Sequence, residues 1–259
     1  MKRISCLALL RRTWPERTSD ELTALVLCKN IYVDGELVTD PKQSVSSGSS
    51  VDIIYPRYVS RGGCKLEEAL RRFKVDVTGL TAIDAGSSTG GFTDCLLQNG
   101  AQKVYSIDVG FNLLDYRLRT DSRVAVCEKT NIMEFSTACD IAVADLSFRS
   151  IHGAASHMLD LSRSGFLIAL IKPQFELRGQ IDGFEGVVKD KGLLLEIVTS
   201  VYDQLCSEGL GVHDLCQSPI KGRKGNTEFL FLIGKKKGMD REGFLEALRS
   251  QAAFLEQSR

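Results

Sequence analysis

The chain reads as an α/β protein: one seven-stranded, mainly parallel sheet wrapped by helices, preceded by a small α+β unit. Three observations lead there. From Gly79 onward, short apolar runs alternate with helix-length segments, the pattern of parallel strands joined by crossover helices. The first of these runs, Leu80–Ile83, ends on Asp84 and enters a turn holding Gly86, Gly90 and Gly91, which opens a helix over Phe92–Gln98. Near the end, the runs Val212–Gln217 and Glu228–Ile233 are separated only by the loop 218–227, too short for a crossover, so they run antiparallel.

The individual elements follow in order. Asp20–Cys28 has a helical pattern, and Ile31–Val38 forms two short strands about an Asp34-Gly35 hairpin turn. The Ser/Gly-rich stretch Ser44–Ser50 reads as a loop before a third strand, Val51–Tyr55, and Pro56 punctuates the boundary. The remaining strands are Leu80–Asp84, Lys103–Asp108, Val124–Cys127, Ile141–Asp145 and Gly165–Ile171, followed by a long amphipathic helix over Lys191–Ser207. A helical tail over Asp240–Gln257 starts at Asp240, a natural N-cap. These divisions predict a small domain at 1–55, a linker at 56–61, a large α/β domain at 62–238 and a tail at 239–259.

Composition narrows the function classes. At 259 residues and 43% hydrophobic, the chain can bury one large core beside a small module. Its net charge of zero exerts no global pull on nucleic acid. Two basic islands stand out locally: Arg57, Arg61, Lys65, Arg71, Arg72 and Lys74, then Lys221, Arg223, Lys224 and Lys235–Lys237. They read either as a polyanion footprint, with Arg57, Arg61, Lys221, Arg223 and Lys224 as its contacts, or as solvated faces. The eight cysteines are scattered without a C-x-x-C or a nearby histidine, which argues against a metal site and against a disulfide framework. No apolar run approaches the roughly 20 residues of a membrane span. The expectation is a reduced, cytoplasmic protein with no membrane or metal partner.

The glycine turn carries the first chemistry. Glycine belongs where a ligand touches backbone or where φ must be positive, and a strand–turn–helix of this kind cradles nucleotides. Asp108 ends the next strand 22 residues after Gly86, where a carboxylate can accept hydrogen bonds from a ribose diol. The turn reads Asp84-x-Gly86-x-x-x-Gly90-Gly91, not the G-x-G-x-x-G of dinucleotide folds. An aspartate beside the first glycine repels a pyrophosphate but suits a ligand with a cationic amino-acid end. S-adenosyl-L-methionine (AdoMet), with an ammonium and a sulfonium, is the cofactor this selects. The expected contacts are Asp84, Gly86, Ser88, Thr89, Gly90, Gly91 and Phe92 in the turn, Asp108 and Val109 after the second strand, Asn131 in the adenine wall Glu128–Asn131, and Asp145.

Four further polar residues sit where such a sheet presents chemistry, at strand ends or adjoining loops. Lys172 directly follows the apolar run Leu167–Ile171, so its ammonium is drawn toward an apolar interior. Desolvation and a second cation such as Lys65 would lower its pKa and make it a general base, unless the side chain snorkels to the rim. Asp145 reads as a catalytic carboxylate or a helix cap, Glu228 as a functional acid or a solvated strand end, and Lys65 lies just before the cofactor loop.

Together these segments resemble a known family. Val59-Ser-Arg-Gly-Gly-x-Lys65-Leu-Glu, Asp84-x-Gly-x-Ser-Thr-Gly-Gly-Phe-Thr-Asp-Cys-Leu, Val104-Tyr-x-x-Asp-Val-Gly110, Asp145-Leu-Ser-Phe, Leu170-Ile-Lys-Pro-Gln-Phe-Glu176 and Ser218-Pro-Ile-x-Gly-x-x-Gly-Asn-x-Glu-Phe229 resemble the TlyA family, also known as hemolysin A. These are ribosomal-RNA 2′-O-methyltransferases related to FtsJ-type enzymes, and the resemblance spans about residues 30–234. It implies a Rossmann-like methyltransferase sheet and methyl transfer from AdoMet to a cytidine ribose 2′-OH, with ribosomal RNA or ribosomal subunits as partner. It places a Lys-Asp-Lys-Glu tetrad on Lys65, Asp145, Lys172 and Glu228. In that scheme Lys172 takes the hydroxyl proton, Asp145 orients Lys172, and Glu228 orients Lys65 or the ribose. The competing reading is a non-enzymatic RNA-binding factor or a membrane-active hemolysin.

The first unit resembles the family's RNA-binding module, of the ribosomal protein S-four type, only in part. The hairpin segment 28–41 matches, but Asp20 follows Ser19 where the family usually has arginine, and Met-Lys-Arg-Ile replaces Arg-Leu-Asp at the start. Residues 1–60 carry eight Lys/Arg against seven Asp/Glu, a weak electrostatic handle on RNA.

Overall fold

A computed structural model of the chain describes residues 2–27, 30–54, 57–147, 150–177 and 186–253. Its contacts divide the chain into two compact units, Met1–Arg57 and Tyr58–Arg259.

The first unit contains β1 (Arg3–Ser5), α1 (Cys6–Thr13), α2 (Ser19–Leu27), β2 (Ile31–Val33), β3 (Glu36–Val38), β4 (Ser44–Ser46) and β5 (Val51–Ile53). The expected hairpin and third strand form a three-stranded antiparallel sheet in the order β3-β2-β5. Asp34 and Gly35 both adopt positive φ, 49° and 81°, the geometry that matches the twist of the flanking strands. The Asp34 carboxylate also accepts the Ser50 N–H at 2.8 Å. Two features depart from the sequence reading. Ser44–Ser46, expected as loop, pairs with Arg3–Ser5, because Val45 turns inward to be buried beside Ile4. The N-terminal stretch forms α1, capped by the Ser5 side chain on the Ala8 N–H. Cys28, Tyr55 and Pro56, at the ends of the expected helix and strand, lie outside the described residues.

The second unit contains α3 (Gly62–Phe73), β6 (Thr81–Ala85), α4 (Gly91–Gln98), β7 (Lys103–Asp108), α5 (Tyr116–Arg119), β8 (Val124–Glu128), β9 (Ile141–Ala144), α6 (Ala154–Leu161), β10 (Phe166–Ile171), α7 (Pro173–Glu176), α8 (Lys191–Ser207), β11 (Gly211–Gln217), β12 (Phe229–Gly234) and α9 (Arg241–Ala253). Its seven strands take the order β11-β12-β10-β9-β6-β7-β8. The β6, β7, β8, β9 and β10 pairings are parallel, and β12 is antiparallel to both β10 and β11. Only one strand is therefore reversed. Helix α8 carries the chain across a gap to β11, and the short loop then folds β12 back into that gap.

Residues 58–61, expected in the linker, pack within this unit: Tyr58 is buried, and the Val59 N–H is held by Asp94 Oδ2 at 2.7 Å. Alternate strand residues feed two cores. Ile83 and Ala85 join α6 and α8 on one face, while Ala82 faces α3 and α4 on the other. The tail belongs to the first of these cores. Asp240 Oδ1 accepts the Gly243 N–H at 2.9 Å as the expected cap. Phe244 is fully buried, stacked on Tyr202 at 4.2 Å and edge-on to Phe231 at 5.6 Å between ring centroids. Phe244→Ala is expected to destabilise the unit by about 3–5 kcal/mol. Thermal denaturation checks this, and an unchanged midpoint would show α9 to be dispensable. Gln257 lies beyond the described part of that helix.

Candidate active site

The β6–α4 turn is shaped by backbone that side chains cannot replace. Gly86 has φ +80°, and a Cβ there would lie 2.6 Å from the Asp145 carbonyl oxygen. Ser88 is also left-handed (φ 48°), and its N–H donates to Asp108 Oδ2 at 2.8 Å. Gly90 caps α4 at φ 94°, with Leu114 and Leu118 filling the space a Cβ would need. At Gly91 a Cβ would overlap Ser60 Oγ and the Gly63 nitrogen, so the N-terminal ends of α3 and α4 meet backbone to backbone.

Two cavities open around this turn. The larger, about 600 Å³, is lined by Gly86, Ser88, Asp108, Val109, Asn131 and Asp145, with Leu113, Ile132 and Ser147 added. The smaller, about 230 Å³, is lined by Lys65, Asp84, Gly86, Ser88, Thr89, Gly91, Phe92 and Asp145, together with Ser60, Arg61, Ser87 and Arg223. They share Gly86, Ser88 and Asp145. Of the residues expected to hold a cofactor, only Gly90 lines neither; it sets the turn from behind. Asp108 spends both oxygens on the loop backbone, on Ser88 N–H and on Gly110 N–H at 2.7 Å. Asn131 caps the 3-10 turn Ile132–Glu134 by accepting the Met133 N–H.

Asp84 is the electrostatic anomaly. It is fully buried, and its Oδ2 accepts the Thr93 hydroxyl at 2.6 Å, while Oδ1 has no hydrogen-bond partner. Burial pushes its pKa up to about 7; the Thr93 bond opposes the shift, and the Asp145 and Asp108 carboxylates add to it. An orphaned buried carboxylate oxygen facing a cavity is the complement of a ligand cation. Across the same cavity lie Arg61, Ser60 and two helix N-termini, the complement of an anion. A zwitterionic amino-acid end fits that pattern, and the larger cavity adds an apolar wall and Asp108 for a nucleoside. The residues present therefore fit AdoMet.

The four charged residues selected from sequence form two ion pairs beside these cavities. Lys172, buried at the end of β10, places Nζ 2.5 Å from Asp145 Oδ1 and donates to Ser147 Oγ at 2.9 Å. Lys65, buried on α3, places Nζ 2.5 Å from Glu228 Oε2, and Glu228 is itself only 3% exposed. Each lysine thus has its own carboxylate. Glu228 is not a solvated strand end, because Gly222 gives it room to turn inward to Lys65. Sequence reasoning did not single out Ser60, Ser87, Leu113, Ile132 or Ser147. Ser60 and Ser147 lie inside motifs that had been recognised, whereas Leu113 and Ile132 carry no signal apart from apolarity. Phe148, in the Asp145-Leu-Ser-Phe segment, lies outside the described residues.

Of the expected RNA contacts, Arg61 and Arg223 are exposed and line the smaller cavity. Lys221 and Lys224 are exposed on the β11–β12 loop, and Arg57 is exposed at the end of the first unit. Among the described residues, no group of three His, Cys, Asp or Glu side chains could hold a metal, and no helix is long and apolar enough to cross a membrane.

A parallel sheet with one reversed strand near its edge, and a glycine turn facing two Lys–carboxylate pairs, defines a Rossmann-like methyltransferase. Comparison with known proteins agrees. The model of the FtsJ-like methyltransferase family matches residues 58–235. The chain is 43% identical over 182 residues to YqxC of Bacillus subtilis, a match spanning 67% of this chain and 64% of that protein's length. It is 36% identical over 229 residues to the 16S/23S rRNA (cytidine-2′-O)-methyltransferase TlyA of Mycobacterium tuberculosis, covering 84% of each. A hemolysin-named structure from Streptococcus thermophilus superposes with a TM-score of 0.74 at 30% identity, covering 99% of this chain and 98% of that one. The chain belongs to the FtsJ-like methyltransferase family, in its TlyA (hemolysin A) branch.

Proposed function

We propose that this protein transfers a methyl group from AdoMet to a ribose 2′-hydroxyl of ribosomal RNA, with cytidine as the target nucleoside. The observation that carries the reading is the Lys172–Asp145 pair, whose buried lysine also bonds to Ser147 beside the cavity that suits AdoMet. When bound, AdoMet supplies an electrophilic methyl whose bond to sulfur breaks as the new O–CH₃ bond forms. The chain's own task is to hold the hydroxyl in line and to take its proton. Lys172 accepts that proton at Nζ, which is held in place by its bond to the Ser147 hydroxyl and its ion-pair contact with Asp145. Asp145 then stabilises the ammonium that results. Lys65 and Glu228, a neutral pair overall, fix the opposite wall and orient the ribose. Asp84 and the facing helix N-termini hold the amino-acid end, and Asp108 the cofactor ribose, so much of the rate comes from alignment. Arg61 and Arg223, exposed at the smaller cavity, and Lys221 and Lys224 beside it supply phosphate contacts, as does Arg57 from the first unit.

Tritium transfer from labelled AdoMet to hypomodified ribosomal subunits, followed by mapping of the modified nucleotide, tests the proposal. Label on a ribose 2′-oxygen supports it. Label on a base, or none with either subunit, overturns it.

A further inference from the structure

The loop that carries Asp145 and Ser147 touches the segment that carries Lys172 at a second place. Lys172 begins a short turn of helix, α7, and Glu176 ends it. The Glu176 side chain is only 5% exposed. Its Oε1 accepts the N–H of Ile151 at 3.3 Å, and its Oε2 lies 3.9 Å from Nε2 of His152. Ile151 and His152 follow Ser147 on the same β9–α6 connection. His152 in turn places Nδ1 3.5 Å from Oε1 of Glu208 at the end of α8. A second contact narrows how far the two segments can turn about the first.

We propose that Glu176 is a positioning residue for the methyl-transfer reaction. By clasping the backbone at Ile151 and the ring of His152, it locks the Asp145–Ser147 loop against the α7 turn and so fixes where Lys172 Nζ points. It touches neither the cofactor cavity nor the acceptor, so its effect is on the geometry of the proton transfer and not on ligand affinity. A carboxylate this deeply buried is retained at a desolvation cost, which partners such as the Ile151 N–H offset. The inference rests on Lys172 being the proton acceptor.

Three variants separate the possibilities. Glu176→Gln keeps an acceptor for the Ile151 N–H and is expected to turn over within about threefold of the parent. Glu176→Leu keeps the volume but loses the acceptor; its kcat is expected to fall by about tenfold or more, with AdoMet Kd by calorimetry and KM for RNA within about twofold. Parental kcat in Glu176→Leu overturns the inference, as does a parallel loss of kcat and AdoMet affinity, which marks general loosening. Should Glu176→Leu not fold, His152→Ala reads the same clasp: a selective fall in kcat supports it and parental kcat overturns it. Lys172→Ala is run alongside. If it retains turnover, the proton-acceptor reading fails and the inference with it. If it is inactive while Glu176→Leu is parental, only the inference fails.

Discussion

In Lys172→Ala, methyl transfer is expected to fall by about a hundred- to ten-thousandfold, while AdoMet affinity stays within about twofold of the parent. The expectation follows from separation of labour in the site. Lys172 is held by Asp145 and Ser147, and it lines neither of the two cavities that suit the cofactor. Its loss removes the proposed proton acceptor and leaves Asp84, Gly86 and Asp108 in place. The alanine variant also leaves Asp145 without its cation, so thermal denaturation must accompany the assay. Single-turnover methylation and calorimetric AdoMet binding on the same preparation make the comparison. Retained turnover would remove Lys172 from the mechanism; a joint loss of binding and turnover would make it a cofactor residue.

Asp84→Asn is expected to divide stability from binding. Burial raises the Asp84 pKa from the ordinary carboxylate value of about 4 to about 7. Between those values the folded state binds a proton that the unfolded chain has released, so unliganded stability falls as pH rises through that window. It is fully present below the unfolded pKa and lost by about pH 7. Asparagine carries no such proton. The unliganded variant should therefore gain on the parent by roughly 1.4 kcal/mol per pH unit across the window, and hold that gain above it. Denaturant unfolding of both proteins at pH 5 and pH 8 reads the difference, and a pH-independent gap would contradict the assignment. The same variant should bind AdoMet at least tenfold more weakly at pH 8, because an uncharged amide cannot compensate an ammonium. For the parent, affinity should decline as pH drops below 7, since Asp84 must lose its proton to receive the cation.

Much of this was legible in the chain because the relevant signals are local. The Asp84–Thr93 turn declares itself through glycines whose positive φ and missing side chains are needed where they stand: Gly86 against the Asp145 carbonyl and Gly91 against α3. The alternation of apolar runs and helices predicts the seven strands, since period and length are properties of contiguous residues. The strand Ser44–Ser46 escaped because its apolar content is a single valine, and only its partner at Arg3–Ser5 makes it a strand. The short helices α5 and α6 carry weak patterns and are held by the sheet they cover.

For the site, residue type and strand-end position were enough to nominate Lys65, Asp145, Lys172 and Glu228, but not to pair them. A lysine after five apolar residues could equally have snorkelled to the rim, and the isolated pattern suggested one lysine acting on another. Pairing depends on which strands are neighbours. β10 lies beside β9, which brings Lys172 to Asp145, and β12 is folded back so that Glu228 reaches α3 and Lys65. The sequence by itself determined the sheet, the turn and the identities of the charged residues, because each is written in a short stretch of chain. Tertiary structure decided how the charges are partnered, that Asp84 has an unanswered oxygen, and that Glu176 clasps the loop of Asp145. Those facts join residues tens of positions apart, and only burial in a shared low-dielectric interior gives such meetings their energetic weight.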